Sequence, residues 1–286
     1  MKGRQSTWGL ITIVVLAASA CVGGPGAGRP VDLRTAARNG DAAAQYLLGL
    51  RCELGADGGA ADPTEAARWY TAAATAGHAA AQNNLGLLFY RGVGVPQSHD
   101  EARHWFEASA AQGCVHGETN LGVLFLLGHG VPRDMAHARE LLAAAARRGS
   151  VRAQTLLGSI AYEGFGGTVD RDEAGRWYTM AAEQGSVTAQ HRLGLMHLRG
   201  DGMPADDAAA ARWLQAAANQ GHASAQHDLA LLHAQGRGVP RDVDVARGWL
   251  AKAAQQGLPL AQARLATATA AGAGPGADAP AAPTTK

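Results

Sequence analysis

An all-α solenoid of antiparallel helix pairs is the fold class the sequence predicts, on three observations. Trp69, Trp105, Leu141, Trp177, Trp213 and Trp249 follow one another at a step of 36 residues (105 − 69 = 36, 141 − 105 = 36, and so on). Gly77, Gly113, Gly149, Gly185, Gly221 and Gly257 keep that step, as do Gly86, Gly122, Gly158, Gly194, Ala230 and Ala266. Between these markers the apolar residues recur at helical spacing. A fixed period of about 20 to 50 residues marks a repeat architecture whose units bury their apolar faces only against one another. Six units are present, and Gly49 lies 37 residues before Gly86 (86 − 49 = 37), so the turn of the first unit carries one inserted residue.

Residues 81–113, AQNNLGLLFYRGVGVPQSHDEARHWFEASAAQG, display the whole unit. Ala81, Leu85, Leu88 and Phe89 fall at i, i+4, i+7 and i+8, the core stripe of a first helix. A glycine inside such a helix costs about 1 kcal/mol relative to alanine, so the return of Gly86 at positions 122, 158 and 194 requires a close helix approach. Alanine at 230 and 266 implies that any small residue suffices. The second helix places Ala102, Trp105, Phe106, Ser109 and Ala110 at i, i+3, i+4, i+7 and i+8, and the fifth unit repeats them as Ala210, Trp213, Leu214, Ala217 and Ala218. The expected packing sets a large tryptophan-led knob over a floor of small residues.

The turns follow the same division. Gly92, Gly94 and Pro96 end the first helix, as Gly128, Gly130 and Pro132 or Gly236, Gly238 and Pro240 do later, because glycine takes a left-handed exit and proline cannot extend the ladder. Asp134 and Asp242 stand where an N-cap would open the second helix. Gly149 and Gly185 are followed at once by Ser150 and Ser186, a stop and then a capping hydroxyl. With so few residues between helices, neighbours must run antiparallel.

The pattern A-Q-x-x-L-G-x-x-[FY], then G-x-G-V-P, then A-x-x-W-[FYL]-x-x-A-A-x-x-G resembles the Sel1-like repeat, a relative of the tetratricopeptide repeat. The resemblance implies a right-handed superhelix and adaptor or regulatory roles, for instance in envelope assembly, signal transduction or host contact. Three departures bear on loop shape: Leu141 replaces the tryptophan of unit three, the turn at 164–170 lacks its proline, and the turn at 55–63 is loose.

Residues 1–20 read as a signal peptide, with Lys2 and Arg4 ahead of the apolar core at 10–18. Two processing readings remain open. Residues 16–21 resemble a lipobox that makes Cys21 an acylated N-terminus, although Ala18 stands where leucine is usual. Alternatively, Ala18 and Ala20 satisfy the small-x-small rule of ordinary secretory cleavage. Residues 21–30 form a flexible tether, 31–270 the solenoid, and 271–286 an Ala/Pro/Gly tail too poor in apolar bulk to order. Residues 31–39 read as the second helix of an incomplete preceding unit and 261–266 as a first helix only, and these close the two ends. The expected location is the periplasm or the outer membrane, with membrane contact only through the lipid anchor. Cys52 lies at a first-helix core position and Cys114 in a turn, so no bridge between them is expected.

Charge and motifs exclude several functions. Without Lys2 and Arg4, 23 basic residues (25 − 2) face 24 acidic ones, and no basic stripe exists to neutralise a phosphate backbone, so no nucleic-acid partner is expected. There is no S-x-x-K, H-E-x-x-H, G-x-S-x-G, P-loop or zinc-spaced cysteine pair, so no catalytic, cofactor or metal residues are assigned. His197 and His233 replace Phe89 in their units as half-buried rings, and His191 and His227 form a second ladder on another face of the same helices. The expected working surface is the concave face of first helices, where Tyr46, Asn83, Leu87, Tyr90, Thr119, Thr155, Tyr162, His191 and His227 would meet a peptide or protein partner. The oligomeric state is not encoded. Two other readings stand beside this one: a structural lipoprotein of an envelope or polysaccharide-export assembly, and a β-lactam hydrolase of the kind the cysteine-rich relatives of the family suggest.

Overall fold

The computed structural model describes residues 32–55 and 60–270. Among them the chain forms fourteen α-helices and no strand. A short α1 (Leu33–Arg38) comes first. The first helices of the six repeats are α2 (Ala42–Leu54), α4 (Ala79–Arg91), α6 (Val115–Leu127), α8 (Val151–Glu163), α10 (Val187–Arg199) and α12 (Ala223–Gln235). Their second helices are α3 (Pro63–Thr75), α5 (His99–Ala111), α7 (Met135–Arg147), α9 (Arg171–Glu183), α11 (Asp207–Asn219) and α13 (Val243–Gln255), and α14 (Pro259–Ala270) closes the series. Two compact units divide between α6 and α7, and each is a stack of consecutively packed helices. The signal peptide, Cys21, the tether and the tail at 271–286 lie outside the described residues.

Each turn is built as the glycine and capping pattern requires. Gly92, Gly128, Gly164, Gly200 and Gly236 all take left-handed φ between 67° and 74° directly after a first helix. The next residues return the chain so that the N-cap amide of the second helix donates to a carbonyl two residues before the end of the first. Ser98 donates to Phe89 at 2.9 Å, and Asp206 donates to His197 at 3.0 Å. The proline-free turn of repeat four keeps the same closure, with Asp170 donating to Ala161 at 3.0 Å, because Gly164 and Gly166 supply the geometry without proline. Asp62, Ser98, Asp170, Asp206 and Asp242 each cap a second helix through the side chain.

The core corrects one expectation. The close approach at the mid-helix glycines is present, yet the knob is the residue after the tryptophan. A Cβ at Gly86 would lie 2.7 Å from the Phe106 ring, at Gly158 2.7 Å from Tyr178, and at Gly49 2.5 Å from Tyr70. Tyr70, Phe106, Tyr178, Leu214 and Leu250 are fully buried, whereas Trp69, Trp105, Trp177, Trp213 and Trp249 are half-buried. Adjacent positions on a helix are turned by about 100°, so only one of the two can point into the pair. The tryptophan instead packs at the side, against a core cluster shared by its own repeat and the one before: Trp105 against the cluster that holds Tyr70 and Leu85, and Trp213 against the one that holds Tyr178 and Leu193. Cys52 is a free, half-buried thiol, so it does not bridge to Cys114.

Candidate functional site: the first-helix face

The expected partner-facing residues divide by burial. In the first unit Tyr46, Asn83 and Thr119 are each 2% exposed and Leu87 is 5% exposed. Asn83 and Leu87 of α4 and Thr119 of α6 belong to helices that touch directly. The Tyr46 ring stacks on His78 at 4.6 Å and lies 5.9 Å from the Tyr70 ring. The Asn83 side-chain amide donates to Oδ1 of Asn84 at 3.1 Å, and its own Oδ1 accepts from Nδ2 of Asn120 at 2.8 Å. Beside this ladder the Tyr70 hydroxyl donates to Glu53 at 2.6 Å, and burial together with that carboxylate pushes the phenol well above its usual range. Thr119 donates to the Val115 carbonyl at 2.7 Å.

Tyr90 remains half-buried at the end of α4. Its hydroxyl lies 3.1 Å from Nδ1 of His129 in the turn after α6, and His129 stacks on His99 with ring centroids 4.8 Å apart. Burial, then the neighbouring His99, lowers the His129 pKa.

The second unit holds Thr155, Tyr162, His191 and His227. Thr155 donates to the Val151 carbonyl at 2.8 Å, and its oxygen lies 3.0 Å from the Ser186 hydroxyl. Tyr162 is fixed on three sides: its hydroxyl donates to Asp201 at 3.0 Å, the Arg171 guanidinium lies 3.6 Å over its ring, and Arg171 also donates to its carbonyl. Asp228 ties the two histidines together. Nε2 of His191 donates to one carboxylate oxygen at 2.8 Å and Nδ1 of His227 to the other at 3.0 Å. Burial raises the Asp228 pKa, but the two imidazole hydrogen bonds and their charge outweigh it and hold the group at about 2. His227 is buried at 7% exposure, while Thr155, Tyr162 and His191 are half-buried. Among the described residues no group of three His, Cys, Asp or Glu side chains is placed to hold a metal ion.

The profile of the Sel1 repeat matches residues 42–78, 79–114, 115–150, 151–186, 187–222 and 223–258, unit for unit with the helix pairs. The chain belongs to the Sel1 repeat family. Among solved structures it is similar to c5321, a protective antigen of uropathogenic Escherichia coli with an SLR fold, at 36% identity and a TM-score of 0.76. The match covers 84% of this chain and 51% of that one, so the chain spans about half the length of that antigen. A Sel1 repeat protein of Oxalobacter formigenes matches at 28% identity and a TM-score of 0.68, over 80% of this chain and 89% of that one. No curated protein matches.

The repeat also has a polar rung that its spacing alone does not reveal. The glutamine of each A-Q pair donates to a carbonyl at the end of the preceding second helix, from Gln82 to Ala74 at 3.1 Å and from Gln226 to Ala218 at 3.1 Å. Its oxygen then accepts from the glutamine that ends its own second helix: Gln112 to Gln82 at 2.7 Å, and Gln184, Gln220 and Gln256 to Gln154, Gln190 and Gln226 at 2.8 Å. Recurrence of Gln112 at 184, 220 and 256 is the signal in the sequence that points to it. Asp228 carries no such signal, because Asn84, Asn120, Leu156 and Arg192 occupy its register elsewhere.

Proposed function

We propose that this Sel1 repeat protein is a non-catalytic interaction scaffold of the bacterial cell envelope, binding a peptide or protein segment along the first-helix face. Sel1 repeat solenoids are generally protein-interaction scaffolds, and the fold is typically non-catalytic. The observation that carries the reading is Tyr162, half-buried yet held in one orientation by Asp201 and Arg171. A pre-set aromatic ring offers contact area at low entropic cost. Tyr90, with its hydroxyl against His129, offers the same in the first unit. In the second unit the binding set narrows to Thr155, Tyr162 and His191, with His227 supporting it from beneath; in the first unit it narrows to Tyr90, with Tyr46, Asn83, Leu87 and Thr119 buried. β-Lactam hydrolysis gains no support, because the face's hydroxyls of Thr155 and Ser159 pair with Ser186 and Tyr178 rather than with a base.

Membrane attachment through an acylated Cys21 completes the proposal and rests on the sequence. No helix among the described residues is long and apolar enough to cross a membrane. The test of the binding face is a photocrosslinking residue placed at 90 or at 162 in cells, with position 68 on a second helix as the control. One dominant protein adduct from 90 or 162 and none from 68 is the expected result. Equal labelling from all three positions would remove the first-helix face as the binding surface.

A further inference from the structure

We propose that His78 and His222 are proton-operated latches, one in each unit, that release the first turn of a first helix and the residue beneath it on acidification. Asp41, Ser150 and Ser186 cap α2, α8 and α10 through oxygen, whereas α4 and α12 are capped by imidazole. Nδ1 of His78 accepts from the Ala81 amide at 3.2 Å, and Nδ1 of His222 accepts from the Ala225 amide at 3.1 Å. An imidazolium has no acceptor nitrogen, and it would place positive charge on the positive end of the helix dipole. Protonation therefore breaks the cap.

The same two rings carry packing. His78 stacks on Tyr46 at 4.6 Å and 23°, and His222 lies on His191 at 4.6 Å and 35°. Tyr46 and His191 share one register position, three residues before Gly49 and Gly194. Each latch thus holds the same place on the first-helix face of its unit.

The charges around the rings set the direction. Facing His222 are His191 and Arg192 of α10 and Asp228 of α12, the last already bonded to His191 and His227. Burial lowers the His222 pKa most, His191 and Arg192 lower it further, Asp228 opposes them, and the group rests at about 4. Burial likewise lowers His78, opposed by its own backbone and by Asp41. A folded pKa below the unfolded value of 6.5 means that the unfolded chain binds more protons in this window. The contribution of the latch is complete above 6.5 and is lost as pH falls through about 4.

Any effect on a partner rests on the proposed binding face; the latch does not, and it is tested without a partner. Amide hydrogen-exchange protection in the first turn of α12 is measured on the full chain at pH 7 and pH 4.5, for the wild type and for His222→Ser. Serine caps α8 and α10 in the same register, so the variant keeps a cap that does not titrate. Protection at Ala225 should fall about tenfold or more in the wild type and stay level in the variant. In the wild type alone, the ring signals of His222 should titrate well below 6.5, with the Ala225 amide shift following the same midpoint. Equal loss of protection in both proteins overturns the proposal, as does a ring titrating near 6.5 while Ala225 stays protected. His78→Ser should have the same effect on Ala81 in α4.

Discussion

Gln45 has a buried oxygen with no partner, and comparison of the repeats explains why. Gln112, Gln184, Gln220 and Gln256 end their second helices and donate to the equivalent glutamine oxygen, but Ala76 ends α3. Ala76→Gln should supply the missing donor and stabilise the protein by about 0.5 to 1.5 kcal/mol, read as a higher unfolding midpoint. An unchanged midpoint would show that the rung contributes nothing to stability. Glycines offer a paired test at the same scale. Gly158→Ala places a Cβ 2.7 Å from the Tyr178 ring and should destabilise by about 1 to 3 kcal/mol, and Gly158→Leu by more. Gly248, also helical, has open space around it, and Gly248→Ala should stabilise by about 0.5 to 1 kcal/mol. Residue spacing therefore revealed the close approach at the mid-helix glycines, which Gly49, Gly86, Gly158 and Gly194 show. It did not reveal which neighbour, because Trp105 and Phe106 are adjacent, apolar and equally periodic. Alanine at 230 is accommodated opposite Leu250, so the sequence correctly permits a small residue there, but not opposite the rings.

At the scale of elements, the knob and the tryptophan have separate duties. Tyr178 fills the space within the α8 and α9 pair, while Trp177 lies at its side, donating its indole N–H to Glu173 at 3.2 Å. Tyr178→Ala should cost about 3 to 5 kcal/mol and Trp177→Ala about half of that or less, although tryptophan is the larger side chain. The reverse order in thermal unfolding would restore the tryptophan-led knob. Most helix boundaries and turns were readable from glycine, proline and the oxygen-bearing caps, because those act locally through φ and single hydrogen bonds. Burial on the first-helix face was not. The positions of Asn83 and Thr119 follow from the repeat, but how tightly α4 and α6 pack is a tertiary property that periodicity does not carry. The histidine caps escaped for a related reason: His78 and His222 stand where aspartate and serine stand elsewhere, and histidine is not a usual capping residue.

For the whole molecule, the end of the second unit and the anchor are the exposed points of the reading. α14 covers Leu250 and Ala253 through the fully buried Ala261. Removing α14 should lower the unfolding midpoint by about 4 to 8 °C, since a repeat without a neighbour loses its burial. Cys21→Ser should move the chain from the membrane fraction to the soluble fraction, and continued fatty-acid labelling of that variant would refute the lipid anchor. The most direct measurement is hydrogen–deuterium exchange of the protein alone and bound to the partner captured at Tyr162. New protection on α8 and α10, around Thr155, Tyr162 and His191, with α9 and α11 unchanged, is the predicted result. Protection confined to the second helices would contradict the first-helix face as the working surface.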